Sequence, residues 1–190
     1  YLPTAHTKWP CPPSFSNQII HKIQVQAENI FKLFGMRDFV RLDGWITDDG
    51  EILFPDFNPI SGLEQNSFIF QQASRLGFSH QDLLLYLLRQ SCRRNGIIKP
   101  IYVESKPNKL KKVRVLFGGK TAERQVSLMS GSNVWLKLRN SRQFFPEPYF
   151  LDPKGEVWKL PYSYVLNHTV EEVYENCLEA KLISEKLSYF

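Results

Sequence analysis

Four polar residues in one short stretch have the types and spacing to do chemistry together. They are Arg41, Asp43, Asp56 and Asn58, within RLDGWITDDGEILFPDFNP at residues 41–59. Asp49-Gly50 is a strong signal for a two-residue hairpin loop, because both residues tolerate the positive φ such turns need. With those two as the loop, Asp48 pairs with Glu51, Asp43 faces Asp56 and Arg41 faces Asn58. Side chains alternate with a period of two, so all four share one face. The opposite face collects Val40, Leu42, Ile46, Leu53 and Phe57, an apolar core face. Carboxylates facing each other across a ladder lie about 5 Å apart and repel. Oxygen ligands on a pleated face suit a hard ion such as Mg²⁺ (or Mn²⁺), which favours a few carboxylates plus substrate phosphates. A solvent-facing acidic hairpin is the other reading, and the spacing leaves both open.

A second candidate lies at Gly118-Gly119, after the strand-like KVRVLF. Glycines let backbone approach a ligand closely, and a helix start after a strand favours an anion. The spacing is not GxGxxG, so no dinucleotide fingerprint is present. Glu123 suits the first turn of a helix through the helix dipole, or alternatively serves as acceptor for a bound ammonium.

The elements that must position these residues follow from the pattern. Proline-rich residues 1–15 predict irregular chain. Ser16 caps a helix with Ile19, Ile20, Ile23, Ala27, Ile30, Phe31 and Phe34 on one face, and Gly35 stops it. After the hairpin and a loop through Gly62, a helix is expected near Ser67–Leu76. Ser79 and Asp82 resemble a capping box before LLLYLLRQ, whose leucine face is core and which Gly96 ends. Residues 97–111 read as a linker with two prolines and a lysine cluster. Beyond it, strand, glycine turn and helix give an α/β opening. Strands near Pro148–Leu151 and Glu156–Leu160 follow, then a helix from about Val170 to Leu182.

The 190 residues are 43% hydrophobic and 14% aromatic, enough to build buried cores. The net charge of +5 is concentrated between Arg93 and Arg114. No aromatic platform accompanies that cluster, so a solvated linker is favoured over a nucleic-acid face. Three widely spaced cysteines match neither a disulfide framework nor a zinc pattern, and a reducing compartment is the simplest inference. No run of about 18 apolar residues predicts a membrane span.

VRVLFGGKTAERQVSLMSG, residues 113–131, resembles the opening segment of D-alanine–D-alanine ligases, and RLDGWITDDGEILFPDFNPISGLEQNS, residues 41–67, resembles the closing catalytic segment of the same ATP-grasp enzymes. The resemblance implies a ligase that phosphorylates the carboxylate of one D-alanine with ATP. The amine of a second D-alanine then attacks, giving D-alanyl-D-alanine for peptidoglycan. It implies Asp43, Asp56 and Asn58 as Mg²⁺ ligands, and Arg41 with the Gly62 N–H as oxyanion donors. Ser67 would hold the second D-alanine carboxylate, and Glu123 the ammonium of the first.

Asp56 stands where the family usually has Glu. Asp is one methylene shorter, so the ion must shift or bind one oxygen fewer, and Pro59 and Ser61, which replace the Thr and Pro of the usual E-x-N-T-x-P-G string, change the loop geometry. The closing segment precedes the opening one. That order implies a fragment spanning two fused modules, as in the duplicated plant homologues, or a circular permutation; the tandem is favoured. The expected organisation is α+β and α/β: the end of an ATP-grasp domain at 1–96, a linker at 97–111, and the incomplete, Rossmann-like start of a second module at 112–190. The family's ATP-clamping centre has no counterpart here, so this piece alone is expected to be inactive, with exposed apolar patches. A ligase-derived nucleotide-binding or interaction protein without catalysis is the alternative. The plant-like tandem implies a chloroplast (plastid) location, otherwise cytoplasmic. D-alanine and ATP are the implied partners, nucleic acid and membrane are not, and homodimerisation stays open.

Overall fold

The computed structural model describes residues 9–97 and 109–187. Most of the expected linker, residues 98–108, lies outside them. The chain divides into two compact units. The first, here the hairpin unit, holds residues 9–64 and 82–97; the second, the α/β unit, holds residues 65–81 and 109–187.

In the hairpin unit, helix α1 (Asn17–Leu33) begins at Ser16, whose side chain accepts from Ile19 N at 3.3 Å. Its expected apolar face is only half buried, and Phe34 at its end is 60% exposed. Strands β1 (Arg41–Ile46) and β2 (Ile52–Asn58) form an antiparallel pair. Helix α3 (His80–Arg94) belongs to this unit from Asp82 onward and has no fully buried residue, so its leucines are not the core that the sequence suggests. Polar ties and one ring contact join the pieces. Lys22 Nζ donates to Gly50 O at 2.6 Å, and Arg94 holds Asp38 through two bonds of 2.9 and 2.7 Å. The Phe34 and Phe57 rings lie 5.4 Å apart.

The α/β unit has a true core. Strand β3 (Lys111–Gly118) pairs in parallel with β4 (Phe144–Leu151) through the crossover helix α4 (Arg124–Leu138), and β5 (Val157–Lys159) lies antiparallel on β4. Lys111 is thus the first strand residue rather than the last of a linker. Strand β4 starts four residues before the expected Pro148. Prolines argue against strand because they lack an N–H. Pro146 is tolerated where β5, which pairs only with Tyr149–Leu151, leaves one side of β4 open. Val115 and Phe117 pack with Leu128, Trp135 and Phe150, and Trp135 Nε1 donates to Pro146 O at 3.2 Å. Helix α6 (Val170–Leu187) closes this core with Val170, Val173 and Cys177. It starts in a capping box: Thr169 Oγ1 accepts from Glu172 N and Glu172 Oε2 accepts from Thr169 N, at 3.1 and 3.2 Å. The short α5 (Tyr162–Val165) and α2 (Phe68–Arg75) complete the unit. Among the described residues no helix is long and apolar enough to cross a membrane.

Candidate functional site

The hairpin brings Arg41, Asp43, Asp56 and Asn58 together. Arg41 pairs with Asn58 and Asp43 with Asp56, as the alternation requires. The tip differs from expectation. Ile46 pairs with Ile52, and Thr47 N donates to Glu51 O at 3.0 Å, so the loop is Asp48–Gly50, one residue longer than a two-residue turn. A β-bulge between Asp43 and Trp45 sets Phe54 and Pro55 against Gly44 and restores the register of the acidic pair. Pro55 offers no ladder N–H, which makes this the natural place for the extra residue. Gly44 is required there, since a Cβ would stand 2.7 Å from Leu53 O. The bulge also corrects one assignment. Leu53, expected on the core face, pairs with Trp45 and is 50% exposed, while Ile52 and Phe54 are half-buried.

Arg41 donates from Nε and Nη2 to Asp43 Oδ2 at 3.1 and 2.9 Å. Asn58 Nδ2 donates to Asp56 Oδ2 at 2.9 Å and reaches Asp43 Oδ2 at 3.4 Å. Two donors thus offset the repulsion between the carboxylates. The Arg41 and Asp43 side chains are 43% and 48% exposed, so their ion pair contributes at most about 1 kcal/mol to stability and a ligand can displace it. Among the described residues no three His, Cys, Asp or Glu side chains cluster as a metal set. The hairpin's ligand set is therefore two carboxylates and an amide. That all-oxygen set fits a hard divalent ion that keeps waters or phosphates as its remaining ligands, with Asn58 joining only when its amide oxygen turns inward.

Gly62 lies exposed in the irregular stretch after β2, where a side chain would meet only the Glu64 carboxylate. Ser67 and Glu123 belong to the α/β unit. Ser67 is the N-cap of α2, yet its side chain does not cap, and its Oγ is buried with no hydrogen-bond partner. An unsatisfied buried hydroxyl costs about 1–3 kcal/mol, so the position is held against a local penalty. Glu123 is an exposed residue just before α4, outside its first turn, and makes no side-chain cap.

The glycine turn does not present the anion cradle that the sequence suggests. Gly118 N donates to Ser127 Oγ at 3.1 Å and Gly119 N to Leu151 O at 2.8 Å, so both amides are used within the fold. Gly118 has φ 94°, and a Cβ there would meet Leu151 O at 2.5 Å. Its freedom serves strand packing.

Residues 1–89 match the family described as D-ala D-ala ligase C-terminus. This ligase C-terminus match contains Arg41, Asp43, Asp56, Asn58, Gly62 and Ser67; Glu123 lies outside it. The D-alanine–D-alanine ligase of Fervidobacterium nodosum is 27% identical over 88 residues, covering 46% of this chain and 28% of the relative. That of Nitrosomonas eutropha is 27% identical over 86 residues, covering 45% and 28%. The vancomycin C-type resistance protein VanC2 of Enterococcus casseliflavus is 27% identical over 77 residues, covering 40% and 22%. The matched segment thus spans about a quarter of the length of these relatives. No solved structure matches the chain.

The sequence pattern missed a polar cluster in the α/β unit around His80 and His168. Its one local signal is Gln71, a buried polar residue beside Phe70 on α2.

Proposed function

We propose that the full-length protein is an ATP- and Mg²⁺-dependent carboxylate–amine ligase of the D-alanine–D-alanine type, with residues 1–96 forming the end of an ATP-grasp domain. The observation that carries this reading is the convergence of Arg41, Asp43, Asp56 and Asn58 on one face of a bulged hairpin, inside the ligase C-terminus match. Asp43, Asp56 and Asn58 would hold the Mg²⁺, which supplies charge neutralisation and phosphate positioning when bound. ATP passes its γ-phosphoryl group to the carboxylate of one D-alanine and ADP leaves. The amine of a second D-alanine attacks the acyl phosphate, phosphate leaves, and the new amide loses a proton. Arg41, released from Asp43, and the Gly62 N–H would donate to the oxyanion of that attack. The Ser67 hydroxyl, buried without a partner, is suited to a substrate carboxylate.

The β3–α4–β4 crossover supports reading residues 112–190 as the Rossmann-like opening of a second, tandem module, with Glu123 in its own substrate site. A plastid location and homodimerisation belong to the same proposal. The second reading, a ligase-derived protein without catalysis, is motivated by Asp56, which stands where the family usually has Glu, and by Pro59 and Ser61 in the loop that follows.

The test is ADP release by the full-length protein with ATP, Mg²⁺ and D-alanine, beside Asp56→Ala. D-alanine-dependent turnover that collapses in the variant supports the hairpin site. Unchanged turnover in the variant moves the chemistry to the second module, and no turnover in the wild type supports the scaffold reading.

A further inference from the structure

The α/β unit includes residues 65–81, distant in sequence from its sheet and bound to it through two histidines. His80 Nε2 lies 2.7 Å from Gln65 O, its Nδ1 is bonded to the Tyr162 hydroxyl, and its backbone N donates to the same hydroxyl at 3.1 Å. A carbonyl only accepts, so Nε2 carries the proton and neutral Nδ1 accepts from Tyr162. Phe70 stacks on the ring at 3.8 Å. The charged group facing this imidazole is Arg139, whose guanidinium lies 4.5 Å from the Tyr162 ring centre.

His168 holds the other end. Its Nδ1 is 3.0 Å from Asn66 Nδ2 and its Nε2 is 2.7 Å from Gln71 Nε2. Gln71 Nε2 also donates to Asn66 O at 2.9 Å, which fixes that amide as the donor. Nε2 therefore accepts from Gln71, and the Asn66 side-chain amide meets Nδ1. Protonating Nε2 sets N–H against N–H. Gln125 Nε2 donates to His168 O at 2.6 Å, and the Glu172 carboxylate accepts from His168 N at 2.9 Å. Phe68 meets the ring edge-on, and the nearby Arg124–Glu171 pair joins α4 to α6.

We propose that His80 and His168 are positioning residues that latch the Ser67 helix to the α/β unit only while both imidazoles are neutral, so that protonation releases the segment presenting Ser67. The role of Ser67 rests on the ligase reading above; the latch itself does not. Burial, with Arg139 behind it, holds the His80 pKa below its ordinary value. Above about pH 6.5 the folded and unfolded rings are both neutral and the latch is at full strength. As pH falls below that value the unfolded state binds the proton first, so the latch weakens.

Backbone amide exchange on the whole chain tests this, with rates corrected for intrinsic pH dependence. Protection of residues 66–76 is expected to fall about tenfold or more between about pH 7.5 and 5.5, while Leu128 to Trp135 stays constant. In the His80→Gln/His168→Gln variant, which cannot titrate, the exchange of 66–76 loses this pH dependence. Ring ¹⁵N shifts provide a readout that needs no variant: His80 should be the neutral Nε2–H tautomer at about pH 7.5. Flat protection across the range in the wild type, or a charged His80 at the upper pH, overturns the latch. If the latch titrates but Ser67→Ala leaves the KM for acceptor D-alanine unchanged in the full-length protein, the Ser67 assignment fails and the latch stands.

Discussion

The two units solve the problem of holding shape in opposite ways. The α/β unit buries Phe117, Leu128, Trp135 and Phe150 almost completely, at 0–2% exposure. The hairpin unit buries none of its described apolar residues to that degree, and Trp45 and Ile60 are 70% and 94% exposed. It is tied by Lys22 to Gly50 O and by Arg94 to Asp38. The best-defined candidate chemistry therefore sits on the unit with the weaker scaffold. A site must be held within fractions of an ångström to work, and a rigid packed shell is what normally does so. The exposed apolar surface is the kind that another protein surface covers.

The largest expected effect breaks the cored unit. Trp135→Ala should cost about 3–5 kcal/mol in urea unfolding, losing the sheet signal while amide shifts of the β1–β2 hairpin persist. Next come two glycines with similar close contacts, 2.5 Å at Gly118 and 2.7 Å at Gly44. Gly118→Ala should cost about 1–3 kcal/mol, because packed neighbours cannot yield and its φ is positive. Gly44→Ala should cost less, because the open hairpin can shift; equal losses would show that the hairpin unit is as tightly packed as its neighbour.

Acid separates the units by a smaller effect. The bond from Arg94 holds the Asp38 carboxyl below the usual carboxylate range. A depressed carboxylate pKa gives a tie that is complete above the unfolded value of about 3.9 and is lost as pH falls through the folded one. At pH 5 the Asp38–Arg94 tie should therefore persist while the histidine latch has weakened, as judged by the Asp38 carboxyl ¹³C shift. The smallest stability effect belongs to the site: Asp43→Asn or Asp56→Asn should change stability by no more than about 1 kcal/mol, since both residues are exposed.

The hairpin register was legible in the sequence partly because two deviations cancel. The three-residue loop shifts the pairing by one, and the bulge at Gly44 shifts it back before Asp43 reaches Asp56. The bulge had a readable signal in Pro55, but Asp49-Gly50 pointed to a tighter turn and placed Leu53 on the wrong face. Helix ends at Ser16, Gly35, Gly77 and Gly96 were legible because caps and left-handed glycines act locally. The engaged amides of Gly118 and Gly119 were not, because Ser127 and Leu151 reach them only through tertiary packing. Nor were the His80–Tyr162 contact, 82 residues apart, and the His168 contacts with Asn66 and Gln71, 102 and 97 residues apart.

The most direct test of the central claim is paramagnetic broadening by Mn²⁺, followed by NMR on the whole chain. The account predicts selective broadening of Arg41 to Asp43 and Asp56 to Asn58, lost in the Asp43→Asn/Asp56→Asn variant. Uniform broadening of surface acids, or broadening that survives in the variant, would contradict a metal site on the hairpin.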